Sequence, residues 1–414
     1  MYDEQDLESY QSGAGLQLYR MPVRYPALGK QRVVFSDMPL LVIHKAALVE
    51  KIWQTIHERR NELKRKRLGL EMNAKRPDLK PAHKLKIAES RTALAQEELR
   101  EIAGILSEAV KTMPRLDWEK VKEYPDYTVP QPDPPEFPPP PEMPRIPREP
   151  LRTDEAFIPK LDAMDKLVRS RREEKEAEAL ARFEAAHKQW EEVCKRVMQH
   201  HQAELQRHQQ VIRTLKTQHE QAVALWEQAR KRYIAEREQC KPIIDAKRKA
   251  YLLGEPYAVL DYCDLLLTYA KLPDFFPHSY DMDYYEMDRG IQVEYLLPPL
   301  RTFPWLYAVE YDPASDTFQE RLLTEEQRAA VYATAMCDTV LRVMYELFAG
   351  DEVGRVDQIH FDGYMFPEDQ PRPGSPPTLV VTLRATKRAF LAEDLTSGDP
   401  ADIIARLGGI FHTA

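Results

Sequence analysis

Residues 130–150 hold eleven prolines in 21 positions, and neither a helix nor an inner strand can be drawn through them. Each proline fixes φ and removes a backbone donor, which confines the segment to an extended, stiff polyproline II path. The fold must therefore be built from what lies on either side. The tract is expected to act as a spacer, with service as an SH3-like ligand the alternative.

Behind it, residues 164–240 read as one long polar helix or a helical pair. Phe183, Trp190 and Val197 recur every seven residues, and Leu205, Ile212, His219, Trp226 and Tyr233 do so after a one-residue skip. Such a repeat predicts a coiled-coil seam, with Val193, Leu215, Ala222 and Ala229 near the companion positions. The predicted oligomer seam is thus Phe183, Trp190, Val197, Leu205, Ile212, Trp226 and Tyr233. Something must bury it: a second copy, a coiled-coil partner, or the helices upstream.

Residues 278–397 look like a conventional core. Tyr280, Met282 and Tyr284, then Ile291, Val293, Tyr295 and Leu297, alternate with polar residues, the period of half-buried strands. Asp288-Arg289-Gly290 between them is a turn signal, with Gly290 free to take positive φ. A third apolar run spans Tyr307 to Tyr311. Thr324 and Gln327 then fit a capping box opening a long helix. Its apolar face carries Val331, Ala335, Thr339, Val343 and Leu347, and Gly350-Asp351 ends it. Strands are expected from Gln358 to Phe366 and Thr378 to Ala385, and a closing helix from Asp399 to Leu407. The economical arrangement is one antiparallel sheet packed on one long helix.

Ahead of the proline tract, only Arg32 to Phe35 suggests an extended segment. A helix begins at Pro39, with Val49, Ile52, Trp53, Ile56 and Leu63 at helical spacing, and Pro77 and Pro81 break it. A second runs from about His83 to Lys111, which predicts a helical hairpin. The fold class is therefore α+β, in five parts: an irregular or short extended segment over 1–38, a helical hairpin region over 39–128, a Pro-rich linker over 129–160, a coiled coil over 161–250, and an α+β domain over 251–414.

Charge is distributed unevenly. Residues 251–414 hold 27 acidic and 12 basic side chains, whereas residues 1–250 hold 40 and 47. A nucleic-acid surface would have to belong to the front half. The stretch His57 to Lys84 has 10 Lys and Arg against four acids. The candidate phosphate contacts are Arg59, Arg60, Lys64, Arg65, Lys66 and Arg67; the same charges would also suit a solvated helix face. No aromatic residue is interleaved to stack bases.

Catalytic chemistry is sparse. Cys194, Cys240, Cys263 and Cys337 form no C-x-x-C pair and are expected to be reduced thiols. His200, His201, His208 and His219 lack ligand spacing for a metal. Asp245-Ala246-Lys247 has the form of the carboxylate-x-Lys strand of metal-dependent nucleases, but its charged surroundings predict a helix. Asp281, Asp283, Glu286 and Asp288, with Glu294 opposite, suit a solvated outer sheet face. No nucleotide-binding glycine motif or nucleophile elbow is present. No cofactor is expected, and neither a secretory signal nor a membrane span is visible, so a cytoplasmic protein is expected.

Three segments resemble the non-catalytic front region of bacterial Mrr-type restriction endonucleases. The first is Asp117-Trp118 leading into the proline tract. The second is Ile158-Pro159-Lys160-Leu161 with Asp165-Lys166-Leu167, feeding a charged helix with Trp190. The third covers roughly residues 251–397 and includes Tyr251, Pro273, Phe275-Phe276-Pro277, Val293-Glu294-Tyr295, Val309-Glu310-Tyr311, Tyr345-Glu346-Leu347-Phe348, Phe361-Asp362-Gly363 and Phe390. In that family a nuclease domain with a metal-binding Asp and a Q-x-K or E-x-K strand follows, and these 414 residues show none. The resemblance implies a non-enzymatic targeting or regulatory component in bacterial defence or DNA processing. Its expected partners are a nuclease or another defence-system protein, and DNA bound without sequence preference. An oligomerising coiled-coil scaffold with no nucleic-acid role is the alternative.

Overall fold

The computed structural model describes residues 4–76, 79–123, 126–161, 169–366 and 376–412. Pro77 and the run Asp165-Lys166-Leu167, singled out above, lie outside them. The chain divides into two compact units, one of Met1–Asp126 with Ile234–Ala414, the other Tyr127–Tyr233.

The first unit opens with β1 (Glu8–Gln11), β2 (Gln17–Tyr25) and β3 (Lys30–Ser36), an antiparallel sheet where only a short extended segment was expected. Pro22 demotes this run in any reading of the sequence, because proline is rare inside sheets. Even so, β2 is the central strand, with Pro22 opposite Val33. Met21, Val23 and Val34 close a core against Val42, Ala46, Val49 and Trp53 of α1 (Pro39–Ala74). The second predicted helix is two, α2 (Pro81–Ala103) and α3 (Ile105–Lys111), parted at Gly104. A short α4 (Trp118–Lys122) follows, capped by the Asp117 carboxylate.

Helix α5 (Arg169–Leu253) is 85 residues long and belongs to the second unit as far as Tyr233. It stops at Gly254, whose φ of 80° is the left-handed conformation that ends helices cheaply only at glycine. Immediately after it, α6 (Pro256–Thr268) is buried along almost its whole length.

The predicted hairpin forms from β4 (Tyr280–Tyr285) and β5 (Gly290–Leu296). The positive φ of its turn falls on Arg289, at 46°, and not on Gly290. Gly290 serves close approach instead: a Cβ there would lie 3.2 Å from the Gln358 side chain. The Tyr307 to Tyr311 run lies in a separate ribbon, β6 (Leu306–Asp312) with β7 (Thr317–Leu322), whose Val309 and Tyr311 pack on Ala88 of α2. The capping box at Thr324 and Gln327 opens α7 (Glu325–Gly350). Then come β8 (Gln358–Met365), β9 (Thr378–Thr386), α8 (Lys387–Phe390), α9 (Pro400–Arg406) and β10 (Ile410–Phe411).

The sheet order is β10-β9-β8-β5-β4, and β5 pairs parallel with β8. The expected all-antiparallel sheet is thus corrected to a mixed one. Its cause is the long return through α7: a crossover of that length brings the chain back to the end where β5 began, so the next strand runs alongside it. Among the described residues no helix is long and apolar enough to cross a membrane.

Within this core, Asp338 of α7 makes no ion pair among the described residues. Burial, and then the charge of Asp399 at the start of α9, push its carboxyl from 3.8 up to about 6. A folded value above the ordinary one means that the proton favours the fold. Stability should fall as pH rises from about 4 through about 6 and stay low beyond. Asp338→Asn should therefore be more stable than the parent at neutral pH, by roughly 2 kcal/mol, and no more stable in acid. Urea denaturation at the two pH values checks this. A variant that is less stable at both would contradict it.

Candidate functional site

The six predicted phosphate-contacting residues lie on α1 and part into two groups. Arg59 pairs with Glu101 and Asp274, Arg67 with Glu98, and Lys66 with Glu62 one turn back. Arg60, Lys64 and Arg65 make no ion pair among the described residues, and Lys64 and Arg65 are exposed. Beside them, a groove of about 670 Å3 between α1 and α2 brings Arg65 and Lys66 together with Arg100 over Gly69, Leu70 and Leu94. The structure thus halves the predicted positive ridge. Arg59 and Arg67 tie α1 to its neighbours, and Lys66 is spent within α1.

The seam residues sit in the second unit on one stripe of α5, and all seven are half-buried. What faces them is the chain's own proline tract. Trp226 Nε1 donates to the Val129 carbonyl at 2.8 Å, His208 Nε2 to that of Pro138 at 2.9 Å, and Trp190 Nε1 to that of Pro147 at 2.8 Å. The spacer reading is corrected here: the tract is extended, but it lies along the helix.

The register has a simple origin. Successive acceptors are nine residues apart and successive donors eighteen, in opposite chain directions. Nine residues of polyproline II at about 3.1 Å each span roughly 28 Å, in about three turns. Eighteen residues of α-helix at about 1.5 Å span roughly 27 Å, in about five turns. Both elements return to the same face after nearly the same distance, so one side chain in eighteen meets one carbonyl in nine over the two repeats present.

The chemistry fits too. Polyproline II leaves its carbonyls without internal partners, and indole or imidazole offers an apolar body with a single N–H at the tip. The ends are closed by rings. Tyr127 lies 6.0 Å from Trp226 and 5.4 Å from Tyr233, Phe157 meets Phe183 edge-on at 5.6 Å, and the Arg152 guanidinium sits 5.2 Å from Phe183. Because one extended strand is narrower than a helix, the stripe is covered only in part.

Sequence reasoning missed a buried ionic network in the first unit. On α6, Asp261 and Asp264 are three residues apart and share a face. Lys45 of α1 donates to Asp261 at 2.6 Å and to the Phe35 carbonyl at 2.9 Å, and its ammonium lies 2.7 Å from Asp264 as an ion pair. Arg32 of β3 pairs with Asp264 and lies 4.0 Å over the Tyr280 ring. Lys247 of α5 reaches Asp261 at 2.7 Å and also pairs with Asp37. Three cations meet three carboxylates, and Asp264 is wholly shielded from solvent. Burial pushes the Asp261 carboxyl up, but Lys45 and Lys247 outweigh it and hold it below its ordinary range. The available signal was a pair of aspartates inside the apolar run Pro256 to Thr268.

That network also decides the Asp245-Ala246-Lys247 question. The three residues lie on a helix, where positions two apart point to nearly opposite sides. Lys247 turns inward, while Asp245 is half-buried and pairs with Lys122 at 2.7 Å. The expectation of a helix there holds. Nor do the histidines gather: His208 is spent on Pro138, and His200 lies 3.5 Å from Glu204.

On the outer face of the mixed sheet, Asp281, Glu294 and Asp362 stand side by side across three strands. Burial, then neighbouring carboxylates, raise Glu294. Among the described residues no group of three or more His, Cys, Asp or Glu side chains is placed to hold a metal ion. Comparison of the chain with protein-family models, with curated proteins and with solved structures finds no match.

Proposed function

We propose that this chain is a non-enzymatic targeting or regulatory component of a bacterial defence or DNA-processing system, related to the front region of Mrr-type restriction endonucleases. Cutting would be done by a partner nuclease, and the chain would hold DNA by its backbone. The observation that carries this reading is the ridge at Arg60, Lys64 and Arg65 on α1, cations with no ion pair among the described residues. It lies in the front half, where basic residues outnumber acidic ones, while the back half would repel phosphate. Asp245 and Lys247, pointing apart on a helix, support a role without catalysis of its own.

Contacts of this kind position a protein without reading bases. Duplex binding should be independent of sequence and fall with salt, with a log–log slope of about −0.9 per phosphate neutralised. Lys64→Glu with Arg65→Glu should lower both affinity and slope, by roughly two contacts' worth. Arg384→Glu with Arg388→Glu should change neither. Fluorescence anisotropy on a labelled duplex over a salt series checks this. Full binding after the first pair of changes would sink the DNA assignment.

A second reading, a coiled-coil scaffold without a nucleic-acid role, draws on the partial cover of the α5 stripe, which leaves apolar surface for a second copy. Sedimentation equilibrium separates the two. A stable oligomer that ignores DNA supports the scaffold, and a monomer that binds DNA supports the targeting component.

A further inference from the structure

We propose that a cavity of about 590 Å3 in the first unit, between the α3–α4 segment, the end of α6 and α7, binds a small phosphate ester. Its polar lining is lopsided. Each carboxylate in the wall already has a donor: Glu108 from Lys111 at 2.6 Å, Asp117 from the backbone N–H groups of Glu119 and Lys120 at 3.0 and 3.4 Å, and Glu346 from Arg342 at 3.3 Å. The two lysines are in a different position. Lys120 and Lys271 are exposed and make no ion pair among the described residues. Arg342 is 6% exposed and committed: its Nη1 donates to the Ile105 carbonyl at 2.8 Å, its Nη2 to Glu346 at 3.3 Å, and its Nε–H is shielded from solvent.

The charged side chains of this cavity with neither an ion pair nor a hydrogen bond among the described residues are therefore both positive, and they come from α4 and the segment after α6. A lone carboxylate presents two oxygens. A phosphate ester presents three, enough to accept from both lysines and keep one oxygen in water. Leu116, Leu266 and the Tyr269 ring supply an apolar wall for the organic part. The volume lies within the range of small-molecule sites. Arg115, also in the wall, is occupied by Glu352 at 2.8 Å.

The test is isothermal titration of the full chain with adenosine monophosphate, glycerol phosphate, inorganic phosphate and adenosine. At least one of the two esters is expected to bind, more tightly than inorganic phosphate, and adenosine is expected not to. Lys120→Glu with Lys271→Glu should weaken ester binding by about tenfold or more, as two charge-assisted hydrogen bonds are lost. Both side chains are exposed, so the thermal midpoint should hold, and it serves as the control for folding. Arg342 is left in place because its removal would strand Glu346. If the two lysines only offset helix ends, charge reversal will lower the midpoint and leave binding untouched, which overturns the assignment. So does the failure of both esters to bind, binding of adenosine as tight as that of its phosphate, or equal affinity for ester and inorganic phosphate, the mark of a plain anion site.

Discussion

Asn in place of Asp264 should destabilise the first unit by about 3–5 kcal/mol, because it strands the buried Arg32, whose one ion pair among the described residues is with this carboxylate, and leaves Lys45 with Asp261 alone. Arg32 and Lys45 both end on this carboxylate, and all three side chains are at most 2% exposed. Neither cation can swing out to water, and the substituted amide brings no charge. A buried network of this kind need not stabilise relative to an apolar core. What it does is specify: Arg32 from the front sheet, Lys45 from α1, Lys247 from α5 and the two aspartates of α6 satisfy one another only in this arrangement. Urea denaturation measures the loss. A cost under about 1 kcal/mol, typical of solvated pairs, would show that water reaches the network.

The same network sets a pH window. Asp261 is held low, so the stability it contributes is present above the ordinary carboxylate range and is lost as pH falls through its lowered folded value. Burial pulls Lys247 down, but Asp261 and Asp37 outweigh it and hold it high. Its contribution is full below the ordinary lysine range and is lost as pH rises through the raised value. Asp338 acts against this plateau from within, since its penalty develops on the way up to about 6.

Alternation and turn chemistry made the β4–β5 hairpin legible, and the Thr324–Gln327 spacing placed the start of α7. Those signals are local, and the structure uses them locally. Three features were not legible, each because a distant partner decides it. The parallel β5–β8 pair depends on where a long crossover returns. The front sheet survives Pro22 because β1 and β3 flank it and α1 covers it. The seven residues of the α5 stripe are all half-buried, but a seven-residue repeat carries no label for its occupant. An eighteen-residue spacing of Trp190, His208 and Trp226 set against a nine-residue spacing of carbonyls does carry one, and it shows only when the proline tract and the helix are compared. Of the six basic residues on α1, those that pair with Glu98 and Glu101 could not be told from the rest until α2 was placed beside them.

Trp190→Ala combined with Trp226→Ala should free the proline tract from α5. Each change removes a half-buried aromatic body and one of the three cross-strand hydrogen bonds, a loss of about 1–2 kcal/mol per site. A single extended strand held at so few points has little else to retain it, since polyproline II makes no hydrogen bonds of its own. Far-ultraviolet circular dichroism should show the helix largely kept, while limited proteolysis should begin to cut within 130–150. A tract as resistant as in the parent would mean that the two indoles are not what holds it.

The central claim, that the aromatic stripe of α5 is occupied by the chain's own proline tract, is tested most directly by hydrogen exchange at the tryptophan indoles. In the parent, the Nε1–H groups of Trp190 and Trp226 should exchange slowly, because each is bonded to a carbonyl of the tract. Replacing residues 128–150 with a Gly-Ser segment of equal length, which has no preference for polyproline II, should return both to the rate of free indole. It should leave Trp53, buried in the first unit, unchanged. Free exchange at Trp190 and Trp226 in the parent, or protection that persists after the replacement, would contradict the account.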